Sequence, residues 1–517
     1  MPNVEQFFSE PEDLKIENQN LKIQVKIEQE KNKNYADEVE RLYEMLAELK
    51  RSKFGVKSER WESDEQLVFN EVEFFSKQPE PASDEQKTVS GHTKKRGHRK
   101  PLSAELDREV IVVELPQAEQ FAEDGLTPLK VIGYEISEKL IYEPSKTKVI
   151  EYHRAKYGVD SGDYEKTAPP VPSIIAKGIA TPELVASIIT QKYAYGMPLY
   201  RQEEMFAEMG VHLPRQTMAR WVVQHAQASL GVFNILNDRL MEGDYVSCDE
   251  TRTQVLKEEG RKAESKSWMW VRSTPHGRNK IILFDYDPHR SAEVAKKLLA
   301  EFKGFLQVDG YASYNTLEHG LELIRIGCNM HGRRYFEQAK TEGAQSGKTL
   351  AEIGLKFYKQ LYNLEEEFKL LAPQERYSLR IEKHKPIWDE FKKWVDGTHK
   401  KVPPKSKIGK AFNYFLSEYE YLMGYLKDGR LEMDNGFVER AIRKFAIGRN
   451  NWMFADTVDG AKASALFYSL LCTAKINGVG TYEAMKYLFT ELPKAKTAQD
   501  IEHLADIIMG IKTISSK

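Results

Sequence analysis

Between residues 244 and 330 the chain lays down short apolar runs in an order that few folds accommodate. Five of them read as strands: "YVSCDE", "SWMWVRS", "NKIILFDYD", "GFLQVDGY" and "LELIRIGC". A helix is predicted over 291–302, "SAEVAKKLLAEF", between the third and fourth runs. A short helical piece, "YASYNTL", separates the fourth from the fifth. Three consecutive strands make a meander, and the strands that arrive through helices extend the same sheet. This order restricts the chain to a sheet flanked by helices.

The order matches a ribonuclease-H-like sheet inside an α+β multidomain chain. Within it, three acidic positions carry a pattern that lone surface carboxylates lack. Asp249 in "VSCDET" follows an apolar run, and Asp309 in "LQVDGY" closes the fourth strand just before Gly310. Glu439 in "DNGFVERAIRKF" lies 130 positions later (439 − 309), on a helix whose apolar stripe is Val438, Ile442 and Phe445. If the stripe faces the sheet, Glu439 sits at its edge and reaches the same cleft. Three converging carboxylates suit two Mg²⁺ or Mn²⁺ ions around a phosphodiester, the chemistry of cutting and joining DNA. Spacing alone leaves Glu250, Asp285 and Asp287 as competing acids. Arg440, Arg443 and Lys444 cluster beside Glu439 in sequence and are candidate phosphate clamps.

Elsewhere the sequence divides into further segments. Residues 1–55 read as a long N-terminal helix. A heptad ladder places Leu14, Leu21, Tyr35, Leu42 and Leu49 at d, and Asn18, Val25, Asn32, Val39 and Leu46 at a, with Glu28 as a lapse. Asparagine at a sets register at a cost in stability, so a parallel coiled coil that pairs protomers is expected. Residues 56–104 are a flexible linker that carries the basic run "HTKKRGHRK". Residues 105–178 alternate apolar and polar as a small β-rich module.

Residues 179–235 hold a helix-turn-helix pattern. "LYRQEEMFAEMG" ends at Gly210, and a second helix starts near Pro214. Met218, Trp221 and Val222 would face inward, leaving Arg215, Gln216 and Arg220 to meet DNA. The core would then run over 236–340 and 430–490, interrupted by an all-α insertion over 341–429 and followed by a helical tail, 491–517.

Charge and cysteine content narrow the function further. Lys plus Arg number 76 against 78 Asp plus Glu, so any affinity for nucleic acid must come from local clusters. A second such cluster is "HKKVPPKSKIGK", 399–410. The three cysteines, Cys248, Cys328 and Cys472, offer no disulfide framework. No apolar run reaches membrane-spanning length and the N-terminal residues lack a secretory pattern, so a cytoplasmic, nucleoid-associated protein is expected. Cys328 and His331 form a CxxH just after the fifth strand. A zinc site needs two more ligands, none of which stands at short spacing, so a structural role near the acids is expected.

Taken in order, "DETRTQVL", "WMWVRS", "FDYDPHRS", "LQVDGYASYN", "GCNMHGRRYFEQA", "PKSKIGKAFNY", "DGRLEMDNGFVERAIRKFAIGRNNWMFA" and "ALFYSLLCTAKINGV" resemble bacterial insertion-sequence-66-type transposases. The upstream segments "SKFGVKSERW", "GHRKPL" and "YGMPLYRQEEMF" resemble the same family. The resemblance implies a DDE transposase that binds the terminal inverted repeats of its element and carries out metal-dependent strand cleavage and strand transfer. It assigns the catalytic and metal-binding acids to Asp249, Asp309 and Glu439, with Asp434, Asn435 and Arg440 in the surrounding signature. The family's CxxH falls on Cys328 and His331. Relatives carry cysteine pairs ahead of the helix-turn-helix, and "EDGLTPLKVIG" and "KYGVDSGDYEK" contain none, so no zinc is expected there. Double-stranded DNA is the expected partner, for a homodimer or higher oligomer, and small accessory proteins of the same element are a further partner class. The rival reading is a catalytically inactive, transposase-derived DNA-binding regulator.

Overall fold

The computed structural model describes residues 147–158, 165–175, 178–311, 314, 317, 322–340 and 349–514, together with isolated helical positions 19, 22, 26, 28 and 29. The expected coiled coil (1–55), apart from those positions, and the basic linker (56–104) lie outside the described residues, as does most of the β-rich module. Met1–Lys77 and Arg154–Lys517 form one unit, and Gln78–His153 a second. Of the second unit residues 147–153 are described, extended and exposed. The first unit opens with a two-stranded antiparallel hairpin, β1 (Lys156–Gly158) and β2 (Glu165–Thr167).

Four helices follow: α1 (Pro182–Tyr193), α2 (Leu199–Glu208), α3 (Arg215–Ala228) and α4 (Leu230–Met241). The Thr181 hydroxyl accepts the Leu184 N–H at 3.2 Å and Pro182 occupies the first turn, which together start α1. The α2–α3 turn passes through Gly210 at φ +76°, a left-handed conformation that glycine adopts without a side-chain clash. Met218, Trp221 and Val222 are buried, and Arg215, Gln216 and Arg220 are exposed. The hairpin of helices therefore presents the outward face that the sequence indicated.

The sheet runs β3 (Tyr245–Lys257), β4 (Lys266–Ser273), β5 (Ile282–Asp287), β6 (Gly304–Val308), β7 (Leu323–Gly327) and β8 (Ala455–Thr457). Its spatial order is β5-β4-β3-β6-β7, and β8 also pairs with β3. The first three strands are antiparallel, and β6 and β7 join in parallel. The chain is thus a mixed α+β structure.

Three details differ from the sequence reading. β3 runs on through "DETRTQVLK", so Asp249 lies within the strand rather than near its end. The helix expected over 291–302 is shorter, α5 (Ala292–Leu298). β8 went unread because three residues at the end of a helix carry no periodicity.

After β7 the chain is helical: α6 (Asn329–Gln338), α7 (Leu350–Phe368), α8 (Pro373–Leu379), α9 (Lys385–Thr398) and α10 (Lys407–Leu422), with a π-helical turn at Arg380–His384. These helices bury their own aromatic core, including Phe336, Tyr358, Trp388, Phe391 and Phe415. Phe357 and Phe391 stack at 4.6 Å. The chain then returns to the sheet through α11 (Gly436–Trp452), and ends with α12 (Val458–Ile476), α13 (Thr481–Glu491) and α14 (Ala498–Ile508).

α12 is buried from Ala463 through Ala474, as expected of a helix that is apolar on every side. It also closes the open edge of β5. The Phe284 and Ile282 N–H groups donate to Ser469 Oγ (2.7 Å) and Thr473 Oγ1 (3.0 Å), and the Lys280 N–H donates to Asn477 Oδ1 (2.9 Å). Three polar side chains at i, i+4 and i+8 thereby occupy the donors that an exposed edge strand would offer to another chain. Among the described residues, no helix is long and apolar enough to cross a membrane.

Candidate active site

Strand register brings the first two acids together. β3 and β6 pair in parallel as Tyr245↔Phe305, Val246↔Leu306 and Ser247↔Gln307. Continued by two residues, the same register sets Asp249 opposite Asp309, on strands about 4.8 Å apart. Gly310 follows because Tyr414 of α10 lies against the turn: a Cβ at position 310 would come within 2.5 Å of the Tyr414 ring.

Glu439 arrives from the first turn of α11. Val438, Ile442 and Phe445 are buried, as the stripe required, but Glu439 is itself only 1% exposed rather than set at an open edge. Asn435 anchors the helix start. Its side-chain amide donates to the Cys248 carbonyl at 3.2 Å, and its backbone N–H points at Cys328 Sγ at 3.2 Å. Asp434 accepts the Tyr362 hydroxyl and the Gly436 N–H, each at 2.8 Å. Asp434 and Asn435 thus fix α11 against the residue preceding Asp249.

Burial and neighbouring charge act on these carboxylates together. The Asp249 carboxyl is pushed well above the usual carboxylate range, first by burial and then by the negative charges of Glu250, Asp309 and Glu439. Burial also raises Asp309, opposed by the Tyr311 N–H and by Arg290, Arg325 and Arg334. Glu250 rises to about 6, through burial and then Asp309. Burial, together with Arg334 and Arg290, drives His331 well below its ordinary value, so its imidazole is neutral.

The competing acids have other occupations. Glu250 is held by Arg290 and by the Tyr314 hydroxyl (2.6 Å). Asp285 pairs with Arg272 at 2.8 Å, and Asp287 accepts the His289 N–H at 2.8 Å.

The cations around the acids are mostly not those adjacent in sequence. Arg290 reaches Asp309 at 3.7 Å and stacks 3.8 Å over Tyr311, and Arg334 reaches Glu439 at 3.5 Å. The sequence reading missed both. The available signal for Arg334 was its position three residues after His331, on the same helix face. Lys444 differs from expectation: it lies half-buried beside Cys472 and Lys475, and burial lowers its pKa. At five residues past Glu439 it points to another side of the helix. Arg440 is exposed and Arg443 half-buried.

The CxxH also comes into the site. Sγ of Cys328, a ring nitrogen of His331 and a carboxylate oxygen of Glu439 lie within 4.8 Å of one another.

Comparison with known proteins gives the family. Residues 177–463, more than half of the chain, match the family described as "Transposase IS66 family". The chain belongs to the IS66 transposase family. Residues 41–111 further match a segment described as "Transposase C of IS166 homeodomain". Among similar sequences, uncharacterized protein y4qI of Sinorhizobium fredii (strain NBRC 101917 / NGR234) is 32% identical over 491 residues, covering 91% of this chain and 89% of the relative. Uncharacterized protein y4hP of the same organism is 27% identical over 441 residues, covering 82% and 77%. The family match spans Asp249, Asp309, Glu439, the CxxH and the helix-turn-helix.

Proposed function

We propose that this IS66-family protein is an active DDE transposase whose catalytic acids are Asp249, Asp309 and Glu439. The reading is carried by three carboxylates drawn from two adjacent strands and one helix, the first of which burial and the negative charges of Glu250, Asp309 and Glu439 hold against ionisation. A protein accepts that cost where a cation or substrate relieves it. Oxygen donors alone suit Mg²⁺ or Mn²⁺ better than softer metals. Two such ions, when bound, supply activation of the attacking oxygen and stabilisation of the leaving one.

The protein's own groups set the geometry. In this reading β3 and β6 carry Asp249 and Asp309 on neighbouring strands, and Asn435, bonded to the Cys248 carbonyl, positions α11 so that Glu439 would complete the set. Arg290 and Arg334 balance the carboxylates in the free protein and are positioned to meet phosphate oxygens when DNA enters. We read β3–β7 as a ribonuclease-H-like core and the helices between β7 and α11 as an insertion that walls the cleft through Tyr414. Arg215, Gln216 and Arg220 would read terminal repeats from the exposed face of α3, and Arg440 and Arg443 would hold the backbone near the acids. Hydrolysis of one strand would free a 3′-hydroxyl, which then attacks target DNA. Both steps are in-line displacements at phosphorus, so one site serves both.

Asp309→Asn tests the assignment. With a duplex bearing the element's ends, Mg²⁺-dependent nicking should fall by at least about 10³-fold while end binding stays within about twofold. Cleavage at the native rate in this variant excludes Asp309 from the chemistry. Absence of cleavage by the unaltered chain on its own ends would favour the inactive regulator.

A further inference from the structure

We propose that Cys328, His331 and Glu439 form a binding site for a thiophilic divalent cation, Zn²⁺ by its chemistry, and that this site shares Glu439 with the acid cluster. The sharing rests on the catalytic reading of Glu439, whereas the metal site itself does not.

Three donors of different kinds meet here from two helices. Cys328 precedes the first turn of α6, His331 stands three residues later, and Glu439 comes from the first turn of α11, 108 positions further on (439 − 331). Their ligand atoms lie within 4.8 Å of one another. A thiol, an imidazole and a carboxylate packed so closely ordinarily hydrogen-bond, and here the imidazole does not. His331 Nδ1 is buried with no hydrogen-bond partner and stands 3.7 Å from Glu439 Oε1. That separation exceeds hydrogen-bonding range. It lies close to the roughly 3.3–3.6 Å between two atoms bonded to one tetrahedral ion at about 2.0–2.3 Å.

The sulfur also has a backbone donor, although burial and the charges of Glu439 and Asp434 hold the metal-free thiol well above its ordinary value. The Asn435 backbone N–H points at Cys328 Sγ at 3.2 Å, a donor of the kind that steadies a metal-bound thiolate. A sulfur, a nitrogen and an oxygen donor select Zn²⁺ over Mg²⁺, with the fourth position left to water. Binding exchanges the Cys328 S–H bond for a sulfur–metal bond and releases the proton to solvent. Short spacing in the sequence supplied only two of the three ligands, because the third comes from beyond the helical region.

Glu439 cannot serve both cations in full. Its Oε1 also faces Arg334 at 3.5 Å, so occupation of the soft site displaces that arginine and withdraws the carboxylate from the pair opposite. Zn²⁺ is therefore expected to inhibit a reaction supported by Mg²⁺.

Co²⁺ titrated into the full-length protein, purified with chelator, gives the spectroscopic test. The native chain should show thiolate-to-cobalt charge-transfer absorption, and Zn²⁺ should displace it. Cys328→Ser should lose the band, while Cys472→Ser and Asp309→Asn keep it. His331→Gln, checked by circular dichroism for an intact fold, should weaken Co²⁺ binding at least tenfold. A native chain without the band, or a band that survives in C328S, overturns the site. A second arm adds Zn²⁺ to Mg²⁺-supported cleavage by the native chain. Inhibition over the range in which cobalt is displaced supports a shared Glu439, and full activity with the site saturated overturns the sharing. If no Mg²⁺-dependent cleavage occurs at all, the acid-cluster reading fails, and the cobalt spectrum still decides the metal site.

Discussion

Among the described residues, a cluster of charge within the helices and another on the sheet are built on opposite principles. Among the helices, Glu365 accepts a bidentate pair of hydrogen bonds from Nε and Nη2 of Arg380, and Arg376 approaches it at 3.1 Å. Although burial acts to raise it, the Arg380 hydrogen bonds and charge hold the Glu365 carboxyl below its usual range. Arg380 is fully buried and spends its remaining N–H groups on the carbonyls of Tyr425, Asp428 and Leu431. On the sheet, Asp249 is raised first by burial and then by three neighbouring acids. The first arrangement satisfies every donor it buries. The second stores repulsion that a metal or a phosphate can relieve. Buried charge alone does not mark function; like charges gathered at one place do so more strongly.

The sharpest break of this comparison uses one substitution on each side. Arg380→Ala leaves Glu365 without its main partner and strips three carbonyls, which should cost about 3–5 kcal/mol of unfolding free energy. Asp249→Asn relieves repulsion and should raise the urea midpoint of the metal-free protein even as it removes cleavage. A D249N chain destabilised on the scale of R380A would show that both clusters are structural, and the contrast would be lost.

Acid sharpens the comparison at smaller amplitude. His384, buried among the helices against the Tyr425 hydroxyl at 2.7 Å, is depressed by burial to about 4. Its folded value lies below its unfolded one, so its contribution is present above about pH 6.5 and is lost as pH falls toward 4, by about 3 kcal/mol in all. Glu250 is raised to about 6. Its contribution is present below about pH 4.5 and is lost as pH rises through 6, by about 2 kcal/mol. Denaturant unfolding at pH 4.5 and 7 should therefore show Glu250→Gln gaining on the native chain as pH rises. His384→Gln should gain on it as pH falls. Parallel shifts in both variants would contradict the opposed signs.

The sequence carried the sheet because strand runs have period two and their order is restrictive. It carried Asp249 and Asp309 as candidates because each ends or follows an apolar run, which lone surface carboxylates lack. It exposed Arg215, Gln216 and Arg220 through the 3.6-residue stripe of Met218, Trp221 and Val222. What remained hidden depends on contacts between distant segments. Arg290 and Arg334 approach the acids from α-helical neighbours and a loop that no local period links to them. Glu439 completes the Cys328–His331 pair only after the helices between β7 and α11 have folded back. Lys444 follows Glu439 by five residues, which turns it to another side of α11, beside Cys472 and Lys475. Spacing names residue types; only topology says which of them meet.

The smallest expected effect isolates burial as the variable. α9 carries Trp388, Phe391 and Val395 on its buried face, and Lys385 paired with Asp389 on the other. Like Arg380 and Glu365, this is a cation against a carboxylate, but its side chains are 46% and 56% exposed. In water the attraction is screened and both chains lose rotamer freedom to make it. Lysine placed N-terminal to the acid is also the weaker helical order. Lys385→Ala should therefore cost no more than about 0.3 kcal/mol in urea unfolding, and about 1 M salt should erase even that. The R380A loss should persist in the same salt, because ions do not penetrate a cluster whose arginine is fully buried. A K385A cost comparable to that of R380A, or an R380A cost abolished by salt, would mean that charge pairing rather than burial distinguishes the clusters.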